Sequence, residues 1–370
     1  MHPYNAPSRI FGLDLMRAAA IVMVLLAHAL WLFPPTNHPL YDLITIAGFF
    51  GVEMFFVLSG FLIGRILYRE FLGNDFTSRQ VMSFLRRRWY RTLPNYYLIL
   101  LVNIVLALAL GYPVASSWRY FFFLQNFASP LLPFFPESWS LSVEEAAYLA
   151  LPLVLLVAAS FYKRTSYVFL ATVLFVYALC IFAKIQYHHA AGATSMSDWN
   201  IGVKSVVIFR VDAILTGVLC AWSSLHFPVF WKRLRWIGLL SGIVGVGFLT
   251  FGVGALGWFI NQQPFFWNVV YLPLTSLVFA GFLPALSHWK IGPPVAGRYI
   301  TTVAILSYSM YLLHYSIVLQ LIKHFLPEET SFNTLLAATA VYLIITFLLS
   351  ALLYRYYEKP MTDLRDRTTT

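Results

Sequence analysis

Long apolar stretches recur along the whole chain and are separated by polar segments, most of them short. A helix needs roughly 20 apolar residues to cross the hydrocarbon core of a bilayer. The pattern therefore predicts an all-α polytopic membrane protein with about ten transmembrane helices. The predicted helices occupy 13–33, 43–67, 94–112, 141–162, 166–187, 204–224, 236–260, 266–286, 300–322 and 334–357.

The composition agrees with this pattern and excludes other classes of protein. Of the 370 residues, 60% are hydrophobic and 11% are charged, whereas soluble proteins carry about 25% charged residues. A soluble enzyme, a disordered chain and a disulfide-stapled secreted module are thereby excluded. Cys180 and Cys220 lie in apolar runs without metal-ligand spacing, so we expect neither a disulfide framework nor a metal site.

The positions of the basic residues predict the orientation of the chain. Cytoplasmic segments of membrane proteins are enriched in Lys and Arg. With a cytoplasmic N-terminus and ten alternating spans, both termini are cytoplasmic and only five of the 25 basic residues face outward. The first span is longer than a signal-peptide core and carries charges, so we expect it to be retained in the cell membrane. The five outward residues are Arg119, Lys184, Lys204, Arg210 and Lys323.

Three ionisable residues of the first span share one helix face. At about 100° per residue, Arg17 and His28 differ by roughly 20° in direction, and Asp14 and His28 by roughly 40°. Arg17 lies near the cytoplasmic rim and His28 about 16 Å further along the axis, in the outer half. Ionisable groups in hydrocarbon are costly and by default mark function. Alternatively, Arg17 is a topology anchor and His28 is a hydrogen-bonded interior histidine.

The second span and the segment before the third offer further candidates. Ser59 precedes Gly60, a pair that permits close helix contact, and no G-x-S-x-G motif surrounds Ser59 to make it a nucleophile. Arg87, Arg88 and Arg91 belong to a predicted cytoplasmic loop, where guanidinium groups could bind phosphates. Charge alone favours the plainer role of retaining this loop in the cytoplasm and contacting anionic lipid.

Later spans carry polar residues that also require partners. Glu144 follows Trp139 near the start of the fourth span, where it serves either the helix terminus or, at the depth of His28, the orientation of that histidine. Arg210 and Asp212 are expected to be paired or solvated. His314, in the outer half of the ninth span, lines the cavity of His28 or hydrogen-bonds a neighbouring helix; both readings remain open.

These motifs, taken in order, resemble the acyltransferase family 3, integral-membrane enzymes that transfer acyl groups to hydroxyls, chiefly of carbohydrates. The chain departs from the family at Ala146-Ala147, where Gln-Phe is usual, but it keeps Glu144. Some relatives append an SGNH-type domain; here we expect a single transmembrane acyltransferase domain over 1–370. The motifs are Gly12-Leu13-Asp14-x-x-Arg17 with His28, Phe55-Phe56-Val57-Leu58-Ser59-Gly60-Phe61, Arg87-Arg88-x-x-Arg91-x-x-Pro94, Trp139-Ser140-Leu141-Ser142-Val143-Glu144, Arg210-Val211-Asp212, Tyr308-Ser309-x-Tyr311-Leu312-Leu313-His314 and Tyr356-Tyr357-Glu358-Lys359-Pro360.

The resemblance implies an O-acyltransferase that uses a cytoplasmic acyl-CoA, most simply acetyl-CoA, as co-substrate and a carbohydrate or glycoconjugate as acceptor. No metal, permanently bound cofactor or nucleic acid is expected. His28 is expected to deprotonate the acceptor or to carry the acyl group transiently. A polytopic transporter or flippase, with the same charges lining a solute path, is the alternative. The implied roles are catalysis by His28 and Glu144, donor binding by Arg17, Arg87, Arg88 and Arg91, and support by Asp14, Ser59, Trp139, Arg210, Asp212 and His314.

Overall fold

The computed structural model describes residues 9–73, 76–114, 116–327 and 329–367. Residues 365–367 are described by their backbone alone. In these ranges the chain is helical without strands, and ten helices are long and apolar enough to cross a membrane, which confirms the predicted class and number. The cytoplasmic location of both termini stays a prediction, because the two chain ends lie outside the described residues. The helices are α1 Phe11–Leu32, α2 Pro39–Leu72, α3 Ser78–Ala109, α4 Pro136–Phe161, α5 Ser166–Ala190, α6 Val207–His226, α7 Pro228–Ala255, α8 Phe266–Leu286, α9 Pro294–Phe325 and α10 Phe332–Leu364.

Local sequence signals set the starts of several helices. Pro39, Pro228 and Pro294 each occupy the first turn, where a missing backbone N–H costs nothing and the fixed φ suits the helix. At α3 the start is a capping box, in which Thr77 and Gln80 satisfy each other's exposed backbone donors. The helices therefore begin where the backbone chemistry allows rather than where the hydropathy rises.

The largest departure from the predicted boundaries is at α3. This helix begins at Ser78, not at 94, so the basic segment expected to be a loop is helical. An apolar stretch ends where charged residues begin, so hydropathy places the start of the span after the arginines. The helix itself continues through them, because arginine is a good helix former. Likewise α4 begins at Pro136 rather than at 141.

The core of the bundle is built on α2, α6 and α9, the most buried helices, whereas α5 and α7 are the most exposed. At the crossing of α2 and α6, a Cβ on Gly60 would lie 1.9 Å from the Ile214 carbonyl oxygen, and one on Gly217 would lie 2.1 Å from that of Val57. Neither position can accept a side chain without moving backbone, which confirms the expected close contact at Gly60.

Two fully buried ion pairs fasten α6 to its neighbours. Arg210 pairs with Glu53 of α2, and Asp212 pairs with Lys184 of α5. The Ser276 hydroxyl of α8 donates to Glu53 at 3.1 Å. Arg210 and Asp212 are therefore paired, as expected, and the partners are far along the sequence. A buried charge that loses its partner is costly, so these pairs hold α2, α5 and α6 in one arrangement, and the Ser276 hydrogen bond adds α8.

Candidate active site

Five helices enclose a cavity of about 110 Å³, here called the arginine cavity. Within the part of the chain that the structure describes, three arginines line it: Arg17 of α1 with Arg88 and Arg91 of α3. The latter two are three positions apart and so lie on one helix face. The other lining residues are Val52, Phe55, Phe56, Leu58, Ser59 and Leu62 of α2, Thr92 of α3, Ser140, Leu141, Glu144 and Tyr148 of α4, and Ser307, Tyr308 and Tyr311 of α9.

Arg87 lies apart from this cavity, although the resemblance assigned it to donor binding. Its side chain is exposed and donates to the Ser83 hydroxyl at 3.5 Å on the same helix. In a flexible loop Arg87, Arg88 and Arg91 could all have turned toward one ligand. In the rigid α3 helix, Arg87 points about 100° away from Arg88.

Asp14 and Arg17 lie in the first two turns of α1. Arg9 donates to both Asp14 carboxylate oxygens, at 2.8 and 2.9 Å, and Arg17 lies 3.7 Å from the same carboxylate. The Thr301 hydroxyl of α9 donates to Asp14 at 3.5 Å. The ion pair with Asp14 thus helps to hold the Arg17 side chain in place, and Arg17 lines the arginine cavity.

Glu144 belongs to the arginine cavity, and the expected pairing with His28 is not found among the described residues. The Tyr148 hydroxyl donates to Glu144 at 3.1 Å and shares a second hydrogen bond with the Ser59 hydroxyl at 2.6 Å. Because α4 begins at Pro136, Glu144 lies about 12 Å along the helix from its start, deeper than the sequence indicated. Ser59 is accordingly a hydrogen-bonding wall residue as well as a neighbour of the packed Gly60.

His28 meets His314 on the side of the bundle remote from Arg17. The His314 Nε2 lies 3.3 Å from the His28 Nδ1, and the rings meet edge to face with centroids 4.8 Å apart. The Tyr315 ring packs against His28 at 4.9 Å. Of the two readings left open for His314, the hydrogen bond to a neighbouring helix is therefore present, and its partner is His28 itself.

The acceptors around the two rings fix their tautomers. The His314 Nδ1 lies 2.7 Å from the Tyr311 carbonyl oxygen, which can only accept, so this nitrogen carries the hydrogen. The His314 Nε2 is then an acceptor, and so is the Val24 carbonyl oxygen 2.9 Å from the His28 Nδ1. His28 Nδ1 therefore carries its hydrogen, and His28 Nε2 keeps a lone pair that can take a proton.

Tyr311 connects the two parts of the site. Its side chain lines the arginine cavity, its carbonyl oxygen accepts from His314, and the two rings lie 5.4 Å apart. The Ser140 hydroxyl donates to the Tyr311 hydroxyl at 2.7 Å, and Tyr311 donates to the Glu137 carbonyl oxygen at 3.0 Å. Asp14, Arg17 and His28 all contact or face α9, as their shared helix face predicts.

A further buried carboxylate, Glu137, is not among the residues that the sequence singles out. It is 4% exposed and accepts from the Ser316 backbone at 3.0 Å and from the Ser316 hydroxyl at 2.5 Å. Its position after Pro136 at the start of an apolar span gave one signal, but that position is also typical of a helix-capping acid.

Trp139, Arg210 and Asp212 serve the packing around the site. Trp139 meets Phe56 edge to face with centroids 5.6 Å apart, and the Arg210 guanidinium lies 5.5 Å from the same ring. Neither Arg210 nor Asp212 lines the arginine cavity in the described part of the chain. Their buried ion pairs position α6 behind the cavity wall.

The ten apolar helices of the described residues are typical of a multi-pass membrane protein. The arginine cavity and the buried histidine pair are features typical of an enzyme. The chain belongs to the acyltransferase family 3, whose sequence model, described as an acyltransferase domain, matches residues 10–355. This membership favours an enzyme over the transporter alternative.

Curated relatives give the similarity in more detail. The chain is 23% identical to O-acetyltransferase OatA of Staphylococcus aureus, over 96% of this chain and 58% of that protein. It is 27% identical to the putative peptidoglycan O-acetyltransferase YrhL of Bacillus subtilis, over 95% and 54%. It is 24% identical to the peptidoglycan O-acetyltransferase OatA of Listeria monocytogenes, over 95% and 55%. The chain thus spans rather more than half the length of these relatives, and no solved structure matches it.

Proposed function

We propose that the protein is a cell-membrane O-acetyltransferase that moves an acetyl group from cytoplasmic acetyl-CoA to a hydroxyl of peptidoglycan or a related glycan. The observation that carries the proposal is the His28–His314 pair, whose hydrogen bonds leave a basic nitrogen on His28. The names of the curated relatives support the acetyl group and the acceptor class. The excess of basic residues on one side supports the cytoplasmic position of the arginines.

The arginine cavity supports a phosphate-bearing donor. Guanidinium groups bind phosphate oxygens in pairs, and Arg17, Arg88 and Arg91 converge on one volume. A cavity of about 110 Å³ is smaller than a typical small-molecule site. It therefore suits a narrow part of the donor near its phosphates, with the nucleotide outside and the acyl arm directed past Tyr311.

In the reaction, His28 acts as general base. Its Nε2 takes the proton of the acceptor hydroxyl as the hydroxyl oxygen attacks the thioester carbonyl carbon. A C–O bond forms, the C–S bond breaks, and the imidazolium returns the proton to the departing thiolate. His314 and the Val24 carbonyl oxygen hold the other nitrogen protonated throughout, which stabilises the imidazolium.

The first test uses purified protein in detergent, acetyl-CoA and a soluble disaccharide fragment of peptidoglycan. We expect acceptor-dependent release of free thiol and a mass increase of the disaccharide. Loss of a general base costs about 10²–10⁴-fold in rate, so His28→Ala is expected to be inactive while it accumulates normally in the membrane. Normal product from His28→Ala would refute the assignment of the base.

A further inference from the structure

A second, larger cavity opens beside the histidine pair. It has a volume of about 540 Å³ and lies between the end of α3, the connection from α3 to α4, and the part of α9 that follows His314. We call it the tyrosine cleft, because Tyr112 and Tyr315 line it together with Asn103, Ser116, Ser316 and Gln320. Its volume lies within the range of small-molecule binding sites.

The lining of the tyrosine cleft points to an uncharged, hydroxyl-rich ligand. Among the described residues, no Lys, Arg, Asp or Glu side chain lines it. Leucine, proline and aromatic residues form most of the wall, and hydroxyl and amide groups are spaced around them. A sugar has the same two characters, with apolar ring faces and polar edges. The arginine cavity, in contrast, is lined by cations and suits an anion.

The tyrosine cleft shares a wall with the site of reaction. The Tyr315 side chain lines the cleft and packs its ring 4.9 Å from His28 and 5.4 Å from Trp31. Here α9 is locally a π-helix, over His314–Leu319, a rare geometry that is frequent at functional sites. This single segment supplies both the partner of His28 and one side of the cleft.

A buried polar atom lies next to the same wall. Ser316 lines the cleft and hydrogen-bonds one carboxylate oxygen of Glu137, whereas the other oxygen, Oε2, is buried with no hydrogen-bond partner. Buried polar groups of this kind are costly and call for an explanation. Glu137 itself does not line the cleft in the described part of the chain, so Ser316 is the group that joins the cleft wall to this carboxylate.

We propose that the tyrosine cleft binds the sugar acceptor, with Tyr315 in contact with both the bound glycan and His28. This inference rests on the proposed function, because it assigns the acceptor of that reaction to a place. The donor and the acceptor then occupy different cavities, which meet at the Tyr311–His314–Tyr315 segment of α9. A lipid chain is the competing occupant of such a cleft.

The first variant fills the cleft. Ala107 lines it and is 7% exposed, whereas Val105, on the same helix, is 64% exposed and lies outside it. We expect Ala107→Phe to raise the KM for the peptidoglycan disaccharide at least tenfold, with the KM for acetyl-CoA unchanged. The matched control Val105→Phe should leave both values unaltered. An unchanged acceptor KM in Ala107→Phe would overturn the proposal and leave lipid as the occupant.

A second pair of variants covers the case in which Ala107→Phe does not fold. Gln320 lines the cleft, and His324, one turn further along, does not. Gln320→Leu is expected to raise the acceptor KM at least threefold, and His324→Leu to leave it unchanged. Equal effects of the two substitutions would contradict a specific contact in the cleft.

Direct binding of the disaccharide without donor separates this inference from the proposed function. We expect calorimetric binding to the wild type and at least tenfold weaker binding to Ala107→Phe. Binding with this pattern but without acetyl transfer would support the cleft and refute the enzyme. Acetyl transfer with normal acceptor KM in both cleft variants would support the enzyme and refute the cleft.

Discussion

At the scale of single residues, the proposed role of His28 as a base depends on which nitrogen of each histidine carries a hydrogen. Two carbonyl oxygens, of Val24 and Tyr311, decide this for His28 and His314, since an oxygen of this kind can only accept. In the proposed mechanism, these backbone contacts prepare His28 as a base. Glu144, which the sequence offered for that task, instead hydrogen-bonds Tyr148 among the arginines.

His314 is on this account a positioning residue. In His314→Leu the Val24 carbonyl still holds the His28 Nδ1 hydrogen, so we expect a partial loss, of about fivefold in kcat, matching one hydrogen bond of about 1 kcal/mol. Both KM values should stay constant, and His314→Gln, which keeps an acceptor, should recover most of the rate. A loss as complete as that in His28→Ala would mean that His314 itself reacts.

The arginines offer a matched comparison on one helix. Arg91 lines the arginine cavity and Arg87 does not, although they are one turn apart. Lysine keeps the charge but loses the paired donors, worth about 1.5–3 kcal/mol for a charged hydrogen bond. Arg91→Lys should therefore raise the KM for acetyl-CoA about tenfold or more, and Arg87→Lys should leave it unchanged. The same rise in both variants would show that net charge alone binds the donor.

At the scale of the elements, the hydrophobic pattern predicted the ten apolar helices found in the described ranges, because each must be apolar over the width of the bilayer. It could not predict where the helices extend beyond the bilayer. The predicted start of α3 was therefore sixteen residues too late, and the helical basic segment was taken for a loop. The predicted start of α4 was also too late, which placed Glu144 too near the end of its helix. The partners of His28 and Arg210 required tertiary packing, since His314 and Glu53 are remote in sequence.

The crossing of α2 and α6 gives a prediction at this scale. In Gly60→Ala the new methyl group would meet the Ile214 carbonyl, and overpacking of this kind costs about 1–3 kcal/mol. We expect a lower temperature of unfolding in detergent and reduced accumulation in the membrane. Gly247, in α7, has nothing within 4 Å of a Cβ, so Gly247→Ala should be neutral or slightly stabilising. Equal stability of the two variants would contradict the close crossing.

At the scale of the whole molecule, polar groups are arranged along one face of α9. Arg17 and the arginine cavity occupy one part, Tyr311 connects it to the two histidines, and the tyrosine cleft lies beyond Tyr315. The buried ion pairs of α6 lie behind this arrangement and keep its helices in register. In the proposed function, a donor from one side of the membrane and an acceptor from the other would approach His28 from opposite directions.

Sided vesicles test this arrangement most directly. The purified protein is reconstituted into liposomes that enclose the peptidoglycan disaccharide, and acetyl-CoA with a labelled acetyl group, which cannot cross the bilayer, is added outside. We expect labelled disaccharide inside vesicles that hold the wild type and none in those that hold His28→Ala. Label that enters the disaccharide only when donor and acceptor share one compartment would contradict a site that joins the two sides of the membrane.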